Sequence, residues 1–193
     1  MKLLVNEIFY SLQGEGGRSG EASVFVRLAK CNLACEFCDT DFESGVEMTI
    51  EELISDISQY PCKWIIWTGG EPTLQLTDKH LQYFRDLGYK QAIETNATRE
   101  VPSLIDYITC SPKQNYHKAK EKIPFANEVR IPVKDGDILP DIDTLPVADN
   151  YFLSPIFDGD KLNIDNVNYC VECIKREPRW RLSLQVHKLI HIE

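Results

Sequence analysis

A chain of 193 residues and 22.2 kDa, with 43% hydrophobic and 26% charged residues, is long enough for one domain with a substantial core and too ordinary in composition for long disorder. A net charge of -9 and a pI of about 5.0 provide no basic stripe for a nucleic-acid backbone, so DNA and RNA are excluded as partners and a small-molecule substrate fits better. No apolar run approaches the ~20 residues that span a bilayer, and Met1-Lys-Leu-Leu-Val lacks the long apolar core of a signal peptide, so a cytoplasmic protein with no membrane partner is expected. The odd count of seven cysteines and their tight clustering point to metal in a reducing compartment rather than to disulfides.

In chain order, Val5 to Leu12 reads as a strand running into Gln13-Gly-Glu-Gly-Gly17, whose glycines allow close approach of the backbone to a ligand. Ser23 to Leu28 is a second strand, apolar except for Arg27, and it delivers the chain to a cysteine loop. Thr49-Ile-Glu-Glu52 is a capping box, with Ile50, Leu53, Ile54 and Ile57 at helical spacing. Lys63 to Thr68 has the continuous apolar pattern of a buried parallel strand and ends at Gly69-Gly-Glu-Pro72. A helix from Thr77 with Leu81, Phe84 and Leu87 on its inner stripe stops at Gly88, and the strand Gln91 to Thr95 follows.

Tyr107 to Ser111 reads as a strand leading into Pro112-Lys113, and lysine-rich Gln114 to Asn127 as a surface excursion. Glu128 to Val133 is a strand, Lys134 to Asp149 a loop or short irregular helix, and Tyr151 to Ser154 a strand. Val167 to Lys175 is a helix with Val167, Cys170, Val171 and Ile174 inward, and Trp180 to Val186 is the final strand. The alternation predicts an α/β fold, residues 1–193 forming a single domain with right-handed crossovers and a mostly parallel sheet. A closed eight-stranded barrel takes ~250 residues, so the expectation is a compact, incomplete, TIM-like partial barrel with few crossover helices. In such sheets the loops after the strands build the site.

Those loops carry the chemistry. Cys31-x3-Cys35-x2-Cys38 can hold three irons of a cubane and leave one open, whereas a structural zinc site needs a fourth ligand that has no candidate at typical spacing. Arg27 in an apolar strand needs a carboxylate-like partner, either a ligand or, in the plainer reading, Glu15. Thr40 caps a turn or offers oxygen to a hard cation such as magnesium. Cys170-Val-Glu-Cys173 has redox spacing but sits mid-helix on a core face, so the pair reads as packing thiols, as do Cys62 and Cys110. His80, His117 and His191 show no partner in the sequence.

The cysteine triplet, with Gly69-Gly-Glu-Pro72 about thirty residues later, resembles the radical S-adenosylmethionine (SAM) superfamily. Glu7-Ile-Phe-Tyr-Ser-Leu-Gln-Gly-Glu-Gly16, Phe25-Val-Arg27, Cys31 to Thr40, Thr68 to Pro72, Glu94-Thr-Asn96, Ser111-Pro-Lys113 and Leu184-Gln-Val-His-Lys188 together resemble one family within it, the 7-carboxy-7-deazaguanine synthases of queuosine and 7-deazapurine biosynthesis. The resemblance implies a lyase that converts 6-carboxy-5,6,7,8-tetrahydropterin to 7-carboxy-7-deazaguanine with loss of ammonia, using a 4Fe-4S cluster, regenerated SAM and Mg2+. It implies cluster ligation by Cys31, Cys35 and Cys38; SAM contacts from Phe37, Cys38, Asp39, Gly70, Ser111, Pro112 and Lys113; and magnesium at Thr40. Leu12, Gln13, Gly14, Glu15, Arg27, Thr68 and His187 would hold the pterin, Arg27 through its carboxylate, with Arg27, Glu15 and His187 positioning it for the SAM-derived radical. A homodimer and an external electron donor such as flavodoxin or ferredoxin are implied as partners. Two positions depart from the family pattern: the chain ends in Glu193, where relatives often carry proline and use the terminal carboxylate on substrate, and Ser154 stands where relatives can carry glutamine. A glycyl-radical activating enzyme shares the cysteine spacing but needs no Gln-Gly-Glu-Gly loop, and a non-catalytic iron-sulfur protein needs no Gly-Gly-Glu turn.

Overall fold

The computed structural model describes residues 1–38 and 41–192. The strands are β1 (Lys2–Leu12), β2 (Ala22–Leu28), β3 (Val46–Thr49), β4 (Trp64–Gly69), β5 (Lys90–Thr95), β6 (Tyr107–Cys110), β7 (Phe125–Val133), β8 (Val147–Pro155) and β9 (Trp180–Leu182). The helices are α1 (Ile50–Ser58), α2 (Asp78–Asp86), α3 (Tyr116–Lys122), α4 (Ile164–Arg176) and α5 (Val186–Ile190). Backbone hydrogen bonds order the strands β3-β1-β2-β4-β5-β6-β7-β8-β9, with β3 and β9 as the two ends of an α/β sheet that does not close into a barrel. The pairs β2/β4, β4/β5, β6/β7, β7/β8 and β8/β9 are parallel and β1/β3 is antiparallel. The expected partial, mostly parallel architecture is therefore present.

Two compact units divide the chain: Met1–Ser11, Ala22–Thr95 and Glu100–Ile108 form the first, and Leu12–Glu21, Asn96–Arg99 and Thr109 onward the second. In the first, β2, β4 and β5 alternate between two faces, as period-two side chains must. Val24, Val26, Leu28, Ile65, Trp67 and Ile93 pack with Ile50, Leu53 and Ile57 of α1 and Leu81 and Phe84 of α2. The opposite face carries Phe25, Ile66 and Ala92, with Phe9 stacked on Phe25 at 4.7 Å between centroids. In the second unit, Val129, Ile131 and Val133 of β7 are buried, so Glu128 and Arg130 share the other face of that strand.

Local signals placed the helices that have them. Glu52 N–H donates to Thr49 Oγ1 at 3.2 Å and Thr49 N–H to Glu52 Oε2 at 2.7 Å, the reciprocal capping box expected. The Thr49 N–H bond to its carboxylate, followed by the Thr49 hydroxyl, lowers the Glu52 pKa. α2 ends at Asp86, so Leu87 falls beyond its inner stripe and is 48% exposed, contrary to expectation. β3 and α3 were not expected, and the stretch read as a final strand stops at Leu182, with Val186 to Ile190 helical. Within Lys134 to Asp149 the regular elements are a single 3-10 turn, Ile142–Thr144, and the start of β8. Cys110 and Cys170 are buried as expected, whereas Cys62 and Cys173 are half-buried; burial pushes the Cys170 thiol up to about 12.

His80, expected to be partnerless, completes the start of α2: Thr77 N–H donates to its Nδ1 at 3.2 Å. Burial lowers its pKa below the ordinary 6.5, and Nδ1 must keep its lone pair to accept. The fold favours neutral His80, so its stabilisation is present above the ordinary value and lost as pH falls through the lower folded value. Protection of the first-turn amides of α2 should therefore drop as pH falls below the ordinary histidine value of 6.5 in hydrogen exchange, and His80→Gln, which keeps an acceptor there, should abolish the drop. Equal pH dependence in both proteins would show that His80 does not cap the helix.

Candidate active site

In the first unit, the parallel register of β2 and β4 sets Arg27 beside Thr68 and Leu28 beside Gly69. Trp67 pairs with Ile93, which brings Glu94 next to Thr68, and Thr68 Oγ1 donates to Glu94 Oε2 at 3.4 Å. Arg27 Nε donates to Glu7 Oε1 of β1 at 2.5 Å. Glu7, Arg27, Thr68 and Glu94 thus form a polar row across β1, β2, β4 and β5, at the carboxyl ends of the parallel strands. Such a row offers a guanidinium to an anionic group and a carboxylate to hydrogen-bond donors.

The cysteine loop leaves β2 directly. Cys31 Sγ accepts from Leu33 N–H at 3.4 Å, and Cys38 N–H donates to Cys35 O at 3.1 Å, so the segment turns back between the second and third thiols. All seven cysteines are unbridged; Cys31 and Cys35 are half-buried, Cys38 is exposed, and Phe37 beside it is 41% exposed. Among the described residues no three His, Cys, Asp or Glu side chains converge on one metal ion. A cubane asks for something different, since its three thiolates each bind a separate iron, and three cysteines on one irregular loop, outside any disulfide, fit that donor set. Asp39 and Thr40, and with Thr40 the magnesium position, lie outside the described residues.

The Gly-Gly-Glu turn is stitched to the same loop. Gly70 N–H donates to Leu28 O and Glu71 N–H to Lys30 O, each at 2.9 Å. A Cβ on Gly70 would stand 2.0 Å from Lys30 O. Glu71 itself is fully buried, its Oε1 accepting from Thr73 N–H at 3.0 Å, Thr73 Oγ1 at 2.6 Å and Thr95 Oγ1 at 2.8 Å. Its carboxylate braces the turn, and the backbone of the glycines is what the turn presents.

The second unit assembles the other motif residues. Gln13 N–H donates to Glu21 O and Gly20 N–H to Gln13 O, each at 2.8 Å, closing a loop in which Glu15 N–H donates to Gln13 Oε1 at 3.1 Å. Val186 N–H donates to Gly14 O at 2.9 Å, and a Cβ on Gly14 would lie 2.0 Å from His187 Nδ1. The Gln-Gly-Glu-Gly loop and the Gln-x-His-Lys end, far apart in sequence, are thereby one structure. Ser111 Oγ donates to Arg130 O and Lys113 Nζ to Ser111 Oγ, each at 2.8 Å. The expected terminal contact of Glu193 lies outside the described residues.

Glu15 takes Arg130 as its ion-pair partner, Nη1 to Oε2 at 3.0 Å, while Arg27 takes Glu7. Arg130 also donates from Nη2 to Glu128 Oε1 at 2.6 Å. Ser154 Oγ lies 3.0 Å from Glu15 Oε1 and 3.2 Å from Ser183 O, so it serves this network. Arg130, Glu128, Glu7 and Ser183 went unassigned in the sequence reading. The signal that singled out Arg27, a guanidinium within an apolar strand, was also present for Arg130 in Glu-Val-Arg-Ile-Pro-Val. Elsewhere in this unit a cleft of about 630 Å³ is lined by Asp137, Ile138, Asp141, Tyr169 and Arg176, none of them a motif residue.

Residues 26–135 match the model of the radical SAM superfamily. The chain is 45% identical over 188 residues to the 7-carboxy-7-deazaguanine synthase of Bacteroides thetaiotaomicron, covering 97% of each chain. It is 44% identical over 197 residues to that of Haemophilus influenzae, covering 97% of this chain and 92% of the relative. The crystal structure of QueE from Escherichia coli matches with a TM-score of 0.75 at 27% identity, over 97% of this chain and 95% of that one. Membership of the superfamily implies an iron-sulfur cluster and SAM, in keeping with the three thiols. With the family motifs distributed along nearly all of its length and relatives of this identity and coverage, the chain belongs to the 7-carboxy-7-deazaguanine synthase family of the radical SAM superfamily.

Proposed function

We propose that this protein is a lyase that contracts 6-carboxy-5,6,7,8-tetrahydropterin to 7-carboxy-7-deazaguanine with loss of ammonia, a step toward queuosine and related 7-deazapurines. The observation that carries the reading is the joining of the Gln13–Gly16 loop to His187 at Gly14, because these two segments, unlike the cysteine triplet, are particular to the family. When bound, a reduced 4Fe-4S cluster and SAM would supply a 5'-deoxyadenosyl radical for reversible hydrogen abstraction at C6 of the pterin. Cys31, Cys35 and Cys38 hold the cluster in this reading, and Phe37, Cys38, Asp39, Gly70, Ser111, Pro112 and Lys113 hold SAM.

Arg27 pairs with the pterin carboxylate, with Thr68 beside it in register. Leu12, Gln13, Gly14, Glu15 and His187 hold the pterin ring system, with Glu193 as a further substrate-binding residue. Fixing the ring and its carboxylate at separate points decides which hydrogen is presented and which bond migrates, so the chain's own contribution is orientation. Thr40 gives its hydroxyl to Mg2+, a cation that prefers oxygen ligands. The chain passes between its two units after Ser11, Glu21, Thr95, Arg99 and Ile108, which supports residues 1–193 acting as one domain. A homodimer, a flavodoxin- or ferredoxin-like donor and a cytoplasmic location complete the reading; seven cysteines outside any disulfide suit a reducing compartment.

The test is anaerobic cluster reconstitution followed by SAM, dithionite and the carboxytetrahydropterin, with product followed by mass spectrometry over a range of Mg2+. Formation of 7-carboxy-7-deazaguanine without net loss of SAM is the expected result. SAM cleavage with no deazaguanine at any Mg2+ concentration would leave the superfamily standing and remove the synthase assignment.

A further inference from the structure

We propose that Arg130, braced by Glu128, is the positioning residue for Glu15, setting the direction in which that carboxylate meets substrate. The inference rests on the pterin reading above. β7 alternates Glu128 and Arg130 on one face, two residues apart, so the guanidinium lies against its own strand neighbour and reaches across to the Gln13–Gly17 loop. Glu128 is consumed by the fold: its Oε1 accepts from Arg130 at 2.6 Å and Thr109 Oγ1 at 3.2 Å, and its Oε2 from Gly17 N–H at 2.7 Å. Gly16, at φ 70°, makes room for it, since a Cβ there would stand 2.2 Å from Glu128 Oε1.

Glu15 is held differently. Arg130 donates to one of its oxygens and Ser154 to the other, each at 3.0 Å. An ionised carboxylate has about four acceptor positions, so roughly two remain for the N–H groups of a ligand. The side chain of Glu15 is 16% exposed against 6% for Arg130 and 1% for Glu128, so the chain of charges runs from a buried anchor to a group that can reach a ligand. A carboxylate on a glycine-rich loop would otherwise sample many rotamers; two fixed donors remove that freedom before substrate arrives. Arg130 touches no reacting atom and acts through Glu15.

The experiment compares wild type, Arg130→Lys, Glu128→Gln, Glu15→Gln and the Glu15→Gln/Arg130→Lys double variant, all reconstituted with cluster and assayed with SAM, dithionite and the carboxytetrahydropterin. Lysine keeps the buried positive charge but cannot fork to both carboxylates; Glu128→Gln, the second variant should the lysine one fold poorly, keeps shape but replaces one accepting oxygen by an amide NH2 that cannot accept, which loosens the brace on Arg130. Arg130→Lys should raise KM by about tenfold with kcat changed less than about threefold, at wild-type iron content. Glu128→Gln should shift KM in the same direction. In the Glu15→Gln background, Arg130→Lys should change KM by less than about twofold, because groups acting through one another are not additive. Factors that multiply in the double variant, or a loss confined to kcat or iron content, would overturn the inference while leaving the synthase reading intact. A wild-type enzyme inert toward this pterin would remove both.

Discussion

Arg27→Ala should lower kcat/KM for the carboxytetrahydropterin by about 100-fold, equivalent to about 2.7 kcal/mol, and leave iron content and SAM binding unchanged. The size follows from the bond proposed for it, a charge-assisted contact to the substrate carboxylate at a partly desolvated strand end, where the Arg27 side chain is 23% exposed. The fold should tolerate the change, because the partner left behind, Glu7, is 47% exposed and can be solvated. Arg27→Lys should recover only part of the loss, since an ammonium cannot reproduce the planar fork while also answering Glu7. Most of the deficit should appear in KM, as expected when ground state and transition state share the contact. If Arg27→Ala instead loses iron, its work is to shape the strand that delivers Cys31, and the carboxylate role fails.

Gly70→Ala should damage the protein earlier in the chain of events, at assembly. The added carbon would meet Lys30 O at 2.0 Å and Lys30 C at 2.4 Å, both backbone atoms one residue before Cys31, the first of the three proposed cluster ligands. Neither can rotate away, so either the turn or the cysteine loop must shift, breaking the Gly70–Leu28 or Glu71–Lys30 hydrogen bond. Overpacking of this kind costs about 3 kcal/mol, which for a chain of this length lowers Tm by about 6–12 °C. Iron bound after reconstitution should fall in parallel, because the displaced segment carries Cys31. A variant within about 2 °C of wild-type Tm and with full iron would mean the turn is looser than its contacts require.

The legible parts of this molecule share a physical feature: their determinants are adjacent in sequence. The Thr49-x-x-Glu52 box names its own hydrogen bonds, so α1 could be placed before any tertiary contact was known. The apolar runs of β2 and β4 declare buried parallel strands, and Gly-Gly-Glu at the end of β4 declares a turn on the site edge. β3 was missed because its four residues have no pattern of their own and are a strand only by pairing Val46 to Thr49 with Val5 to Lys2. α3, lysine-rich with Ala119 as its buried residue, lacks the apolar stripe by which helices are recognised. Trp180 to Val186 reads as one strand in sequence, but β9 stops at Leu182 and Val186, which opens α5, donates to Gly14 O, a contact that no local pattern announces.

The site divides the same way. By itself the sequence determined which motifs are present, three thiols in one loop, a glycine turn, an arginine in an apolar strand and a Gln-Gly-Glu-Gly loop, because motifs are local and residue types limit what they can bind. Tertiary structure alone decided the partners. It gave Arg27 to Glu7 and Glu15 to Arg130, turned Glu71 inward onto Thr73 and Thr95, and joined His187 to Gly14. Ion pairing and hydrogen bonding depend on strand register and loop closure between residues as far apart as Gly14 and Val186, and no pattern within either segment encodes that distance.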